Sequence, residues 1–118
     1  SGTWVNDLSW ILDKREGLVI ADGTSYVGGA VLDYTKIYAL GFSWQKAFGG
    51  EGAHGMLVLS PRAVDFINSY SPPWPIPRVF RLKKGSQLNG GIFKGETINT
   101  PSMICVEDYF QSLLWAES

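Results

Sequence analysis

The 118-residue chain is expected to fold as an α/β domain, with a mixed sheet of about three to four strands and two main helices. Three short apolar runs and two helix-start signals predict it. Leu18 to Ala21, Ile37 to Phe42 and Met56 to Leu59 are each bounded by glycine or polar residues, the profile of buried strands. Ser60-Pro61 and Thr100-Pro101 each place a hydroxyl at a helix cap and a proline at the first helical position.

In chain order, residues 1–17 are polar and tryptophan-rich without a clean period, and are read as a loop with one helical turn. The first strand stops at Asp22-Gly23. Residues 23–36 hold Gly28-Gly29 and form a connection with room for a helical turn near Asp33. The second strand ends in Ser43-Trp44-Gln45-Lys46. The segment from Gly49 to Gly55 is a loop, because its glycines penalise any regular element. The third strand follows closely enough for an antiparallel return. A helix capped by Ser60 carries Val64 and Ile67 on its apolar face and ends near Tyr70. Ser71 to Pro77 is proline-rich and extended, Val79 to Leu82 is a candidate short strand, and residues 85–95 are glycine-rich and expected to be mobile. From Thr100-Pro101 onward, Met103, Val106, Phe110, Leu113 and Leu114 form a helical stripe.

Composition excludes several function classes. Apolar residues make up 45%, charged residues 18%, and the net charge is -1, which is the composition of a globular chain rather than a disordered one. No Lys/Arg-rich run supplies a footprint for nucleic acid or an anionic membrane, and no apolar stretch has the length of a membrane span. One cysteine, Cys105, cannot staple the fold internally and favours a reducing compartment, so the expected location is cytoplasmic. A single histidine and a single cysteine leave no basis for a metal site.

Two polar residues stand where α/β sheets bind ligands, at the carboxyl ends of apolar strands. Asp22 follows the first strand and Lys46 the second. Pyridoxal phosphate has a use for both. A carboxylate keeps its pyridine nitrogen protonated, and an amine forms a Schiff base with it and then moves a proton. The same residues also suit plain roles, Asp22 as a turn residue before Gly23 and Lys46 as a solvated side chain.

The surrounding words favour the first reading. Ser43-Trp44-Gln45-Lys46, Gly49-Gly50-Glu51-Gly52-Ala53-His54-Gly55-Met56 and Ser60-Pro61-Arg62-Ala63-Val64 resemble the cofactor-lysine region of phosphoserine aminotransferases. Further matches are Pro73-Trp74-Pro75-Ile76-Pro77, the run from Lys94 to Met103, and Val106-Glu107-Asp108. Asp22-Gly23-Thr24-Ser25 is similar to the family's Asp-Ala-Thr-Ser, with Gly23 in place of Ala. The resemblance covers nearly the whole chain in order and spacing, and is weakest at residues 26–40.

The resemblance implies an aspartate-aminotransferase-like large domain (fold type I, class V) and pyridoxal 5'-phosphate as cofactor. The implied reaction transfers an amino group between O-phospho-L-serine and 2-oxoglutarate, in serine biosynthesis. Lys46 would be the Schiff-base lysine and Asp22 the partner of the pyridinium. Gln45 would bond the cofactor phosphate, and Ser25 would contact the cofactor. Asn99 and Thr100 would reach the phosphate of a neighbouring subunit, which implies a homodimer. Members of the family are much longer, and their phosphate loop, ring-stacking aromatic and substrate-carboxylate arginine have no counterpart in these residues. The chain is therefore expected to be the central part of the large domain, residues 1–118, without the N-terminal part and the C-terminal small domain, and inactive by itself. Sheet edges left uncovered should make it self-associate. Two other readings stand beside this one: another class V enzyme acting on a different amino acid, and a non-catalytic folded or oligomerising piece.

Other features have plainer accounts. His54 could orient the lysine or touch phosphate, but also suits packing within the glycine loop. That loop lacks the Lys-Ser/Thr ending of a nucleotide-binding Walker motif. Pro72 to Arg78 offers a superficial Pro-x-x-Pro ligand and reads as a rigid connection. Cys105, Tyr109 and Trp115 are expected to pack.

Overall fold

The computed structural model describes Val5 and residues 7–118. The expected reading of residues 1–17 lies partly outside them. From Asp7 onward the loop is as expected but holds no helix: one turn closes where the Ile11 amide donates to the Leu8 carbonyl at 3.0 Å, and Ile11 is buried.

The sheet is mixed, as expected. Strand β1 (Ile20–Asp22) runs parallel to β2 (Ala39–Ser43), and β2 pairs antiparallel with β3 (Gly55–Leu59), in the order β1-β2-β3. Register places Asp22 opposite Gly41 and Leu40 opposite Val58. The first strand is shorter than expected and begins later, although the Val19 carbonyl already accepts from the Tyr38 and Ala39 amides. The connection from β1 to β2 contains the anticipated helical turn, a 3-10 helix at Tyr34–Lys36 capped by the Asp33 side chain, which accepts from the Thr35 amide.

Burial departs from expectation. Only the middle strand is a core strand, with Leu40 at 2% exposure. Ile20 is 75% exposed, and Met56, Leu57 and Val58 stand open as well. Their apolar character belongs to a sheet covered on both faces, and among the described residues that cover is missing. Among the described residues the buried apolar side chains are Ile11, Ile37, Leu40, Trp44, Ala63 and Cys105.

Helix α1 (Pro61–Ser69) starts as the sequence predicts. Ser60 accepts from the Ala63 amide and Pro61 occupies the first helical position, which satisfies one free amide and sets φ for the first turn. Ala63 is buried, with Val64 and Ile67 half-buried beside it. Arg62 ties the helix to earlier chain, donating to the Arg15 and Glu16 carbonyls and to the Tyr38 hydroxyl.

The candidate strand at 79–82 is a correction. Arg78–Phe80 is a 3-10 helix instead, because the Pro77 carbonyl takes the Phe80 amide and the Arg78 carbonyl takes that of Arg81. Strand pairing appears just after it, where β4 (Lys83–Lys84) and β5 (Gln87–Leu88) form an antiparallel hairpin. Gly85 opens its two-residue turn with φ 69°, the left-handed conformation that such turns require of their first residue. The expected mobile stretch at 85–95 thus contains β5 and a 3-10 helix, Gly90–Lys94, capped by Asn89. The hairpin is fixed to the end of α1, where Asn68 Oδ1 accepts the Leu88 amide and Lys83 Nζ donates to the Tyr70 carbonyl.

Helix α2 (Met103–Glu117) begins two residues later than expected. Its cap is Ser102, whose side chain accepts from the Cys105 amide, rather than Thr100. Its packed face also differs. Met103, Phe110, Leu113 and Leu114 are exposed, as is Trp115, which was expected to pack. Val106 of the expected stripe is half-buried, and the other inward residues are Cys105, Tyr109 and Ser112, one helical face at spacings of four and three. This face meets the turn after β2.

Candidate cofactor-lysine site

The parallel pairing of β1 and β2 brings the ends of both strands to one edge of the sheet. Asp22 is the last residue of β1, and Lys46 lies in the turn that follows Ser43, the last residue of β2. The turn after β1 is held against β2 by the Gly23 amide, which donates to the Gly41 carbonyl at 2.8 Å. The backbone here is close to Leu40. A Cβ at position 23 would lie 2.7 Å from Leu40 Cδ1 and 3.0 Å from Val27 Cγ2. This crowding is a physical reason for Gly23 where the resembled family has Ala.

The predicted residues are not all brought into contact. Asp22 is exposed and is engaged by Thr24, whose amide and hydroxyl both donate to Oδ1, at 3.0 and 2.6 Å. The Thr24 hydroxyl, and then its amide, hold the Asp22 carboxyl below the ordinary 3.8. The local turn role is therefore real, and Oδ2 keeps its full acceptor capacity among the described residues. Lys46 is exposed, and its amine makes no hydrogen bond or ion pair among the described residues. Ser25 is exposed in the turn after β1. Gln45 reaches back so that its Oε1 and the His54 carbonyl, the latter at 2.8 Å, share the Ser43 hydroxyl as donor. Asn99 and Thr100 are exposed in the segment just before α2.

What the sequence reading missed is the support under the lysine. The Trp44 indole stacks on the His54 imidazole, with ring centroids 4.7 Å apart and planes 7° apart. Its other face stacks on Tyr109 at 4.3 Å and 7°, and Phe48 meets Tyr109 edge-on at 5.4 Å. Burial pushes the Tyr109 hydroxyl above its ordinary range. His54 Nε2 accepts the Ser102 amide at 3.3 Å, and the Ser112 hydroxyl donates to the Phe48 carbonyl at 2.6 Å. The His54 ring thus lies between Trp44 and the start of α2, where the sequence reading expected it to pack within the glycine loop. Only long-range packing links Trp44 to Tyr109, so no local period could have signalled it. The Ser102 cap was legible as a hydroxyl before a helical run, but the stronger-looking Thr100-Pro101 masked it.

Among the described residues no group of three or more His, Cys, Asp or Glu could hold a metal ion, and no helix is long and apolar enough to cross a membrane. A cavity of about 480 Å³ lies away from the lysine, between Arg78, Lys83, Ile92 and Ile98.

No family model matches the chain, and no solved structure does. Among curated proteins it is 57% identical over all 118 residues to a phosphoserine aminotransferase of Methanosarcina mazei, and 54% identical over the same length to that of Methanosarcina barkeri. It spans 32% of the length of each. A putative phosphoserine aminotransferase of Mycolicibacterium vanbaalenii is 30% identical over 90 residues, 75% of this chain and 23% of that protein. The chain is thus similar along its whole length to proteins named phosphoserine aminotransferase, and spans about a third of the length of the two from Methanosarcina.

Proposed function

We propose that this chain is the cofactor-lysine part of a phosphoserine aminotransferase, a pyridoxal-phosphate enzyme exchanging an amino group between O-phospho-L-serine and 2-oxoglutarate in serine biosynthesis. The observation that carries the reading is the 57% identity over the entire chain. The proposal places these residues in a class V, fold type I large domain of a cytoplasmic homodimer.

The residues present suit the cofactor. Lys46 offers an unengaged amine as its covalent anchor. Asp22 offers a carboxylate that Thr24 holds anionic, with Oδ2 open toward a ring nitrogen, and it stands on the strand adjacent to the one that leads into the Lys46 turn. Gln45 and Ser25 supply an amide and a hydroxyl at the same strand ends. When bound, pyridoxal phosphate supplies an electron-withdrawing ring that takes up charge from the substrate's α-carbon. Asp22 keeps the proton on the ring nitrogen that this withdrawal needs, and Lys46 Nζ, once free, carries the proton to and from the α-carbon. Asn99 and Thr100, exposed before α2 and near its free amides, suit an anion held across a subunit boundary.

In the protein that carries this chain, O-phospho-L-serine should support amino transfer to 2-oxoglutarate in a coupled assay, whereas L-alanine and L-cysteine should not. Equal rates with alanine would instead make it another enzyme of the same class. Self-association has a physical basis in the exposed Ile20, Ile104 and Trp115, since open apolar surface seeks cover. Light scattering on this chain should give a mass above 13.0 kDa, and a clean monomer would remove the proposed homodimer contact from these residues.

A further inference from the structure

We propose that His54 is a positioning residue that locks the Lys46 turn to the start of α2, setting the covalent anchor of one site relative to the Asn99-Thr100 segment that would serve its neighbour. The inference deepens the proposed function and rests on it for the roles of Lys46, Asn99 and Thr100.

The turn from Trp44 to Phe48 carries Gln45 and Lys46, and α2 holds it from three points. At the helix start, the Ser102 amide donates to His54 Nε2 at 3.3 Å. Seven residues on, Tyr109 stacks on Trp44. One further turn along, the Ser112 hydroxyl donates to the Phe48 carbonyl. The His54 ring is the piece that joins the first point to the second, because its face lies on Trp44 while its edge accepts the helix amide. Two of these holds act on Trp44 and Phe48, the residues that bracket Lys46, and neither engages the lysine amine. The amine is left free while its backbone is fixed, as a group that must attack and release requires.

The bond also defines the ring. An Nε2 that accepts carries no proton, so the proton is on Nδ1. Nδ1 is buried without a hydrogen-bond partner among the described residues. Stacking and the single bond to Ser102 therefore hold the ring, and no second bond shares the load. An imidazole supplies both an aromatic face and an acceptor. Phenylalanine supplies only the face, and glutamine only the acceptor.

That separation gives the test, made on this chain and repeated with pyridoxal phosphate added. His54 is the only histidine, so its ring nitrogens can be assigned by NMR without ambiguity. Wild type should show protonated Nδ1 and a slowly exchanging Ser102 amide. In His54→Phe the Ser102 amide should lose protection, and the amide resonances of Gln45, Lys46, Asn99 and Thr100 should shift together. In His54→Gln the protection of the Ser102 amide should return toward wild type, while the Gln45 and Lys46 resonances stay shifted because the stack on Trp44 is lost. Visible absorbance should show pyridoxal phosphate bound about tenfold more weakly by His54→Phe and by His54→Gln than by wild type, since each keeps only one half of the link, the scale of one hydrogen bond or one stack lost. A protonated Nε2, or a His54→Phe chain whose Lys46 and Asn99 resonances do not move, would overturn the positioning role. If wild type gave no visible band at all, these residues alone would not hold the cofactor, which is an outcome for the proposed function and not for the link between the two segments. The resonances would then still decide whether His54 couples the two segments.

Discussion

Lys46→Ala should abolish the visible band that forms with pyridoxal phosphate and leave nothing for borohydride to fix, while hardly changing stability. The side chain is exposed and makes no hydrogen bond or ion pair among the described residues, so its removal should shift the unfolding free energy by less than about 0.5 kcal/mol, as for other surface substitutions away from special features. That combination separates a chemical role from a structural one. A variant that still formed the band would move the anchor to another lysine. A variant that unfolded would mean that the amine has a partner which the local geometry does not explain. Circular dichroism and absorbance on the same sample read both quantities.

The opposite profile is expected of Leu40→Ala. Leu40 is 2% exposed in the middle strand, paired on one side with Ala21 and on the other with Val58, and its Cδ1 fills the space a Cβ at Gly23 would take. Truncation there should cost about 3 kcal/mol, from lost burial and the cavity left behind. Few side chains share the core of this chain, so such a loss is a large part of a stability of about 5–15 kcal/mol. Cofactor binding should fall with it, because the strand that ends at Ser43 carries the lysine turn. Leu57→Ala, on the neighbouring strand at 46% exposure, should cost far less. Urea midpoints of the two variants make the comparison, and equal losses would place the core elsewhere.

The fold was legible where the determinants are local. The Ser60-Pro61 start of α1, the antiparallel return from β2 to β3 and the Asp33 turn each rest on a few adjacent residues, and each stands in the structure. Burial was not legible. Ile20, Leu57 and Val58 have the apolar character of covered strands, and period alone cannot say whether the cover lies within the chain. The same limit misplaced the packed face of α2. Its most apolar stripe is exposed, and its inward side is chosen by Trp44 and Phe48, some 60 residues earlier in the chain. At the site, the strand-end positions of Asp22 and Lys46 followed from sequence. The Thr24 bonds to Asp22 and the His54-Trp44-Tyr109 stack did not, since contacts between loops and helices leave no periodic trace.

The central claim is that Lys46 is the covalent anchor, and peptide mapping tests it most directly. The chain is incubated with pyridoxal phosphate, reduced with borohydride and digested, and the modified peptide is located by mass spectrometry. The account predicts the phosphopyridoxyl mass on the peptide containing Ser43-Trp44-Gln45-Lys46, at a cofactor concentration that leaves Lys14, Lys36, Lys83, Lys84 and Lys94 unlabelled. Label spread evenly over these lysines, or absent from Lys46, would contradict it.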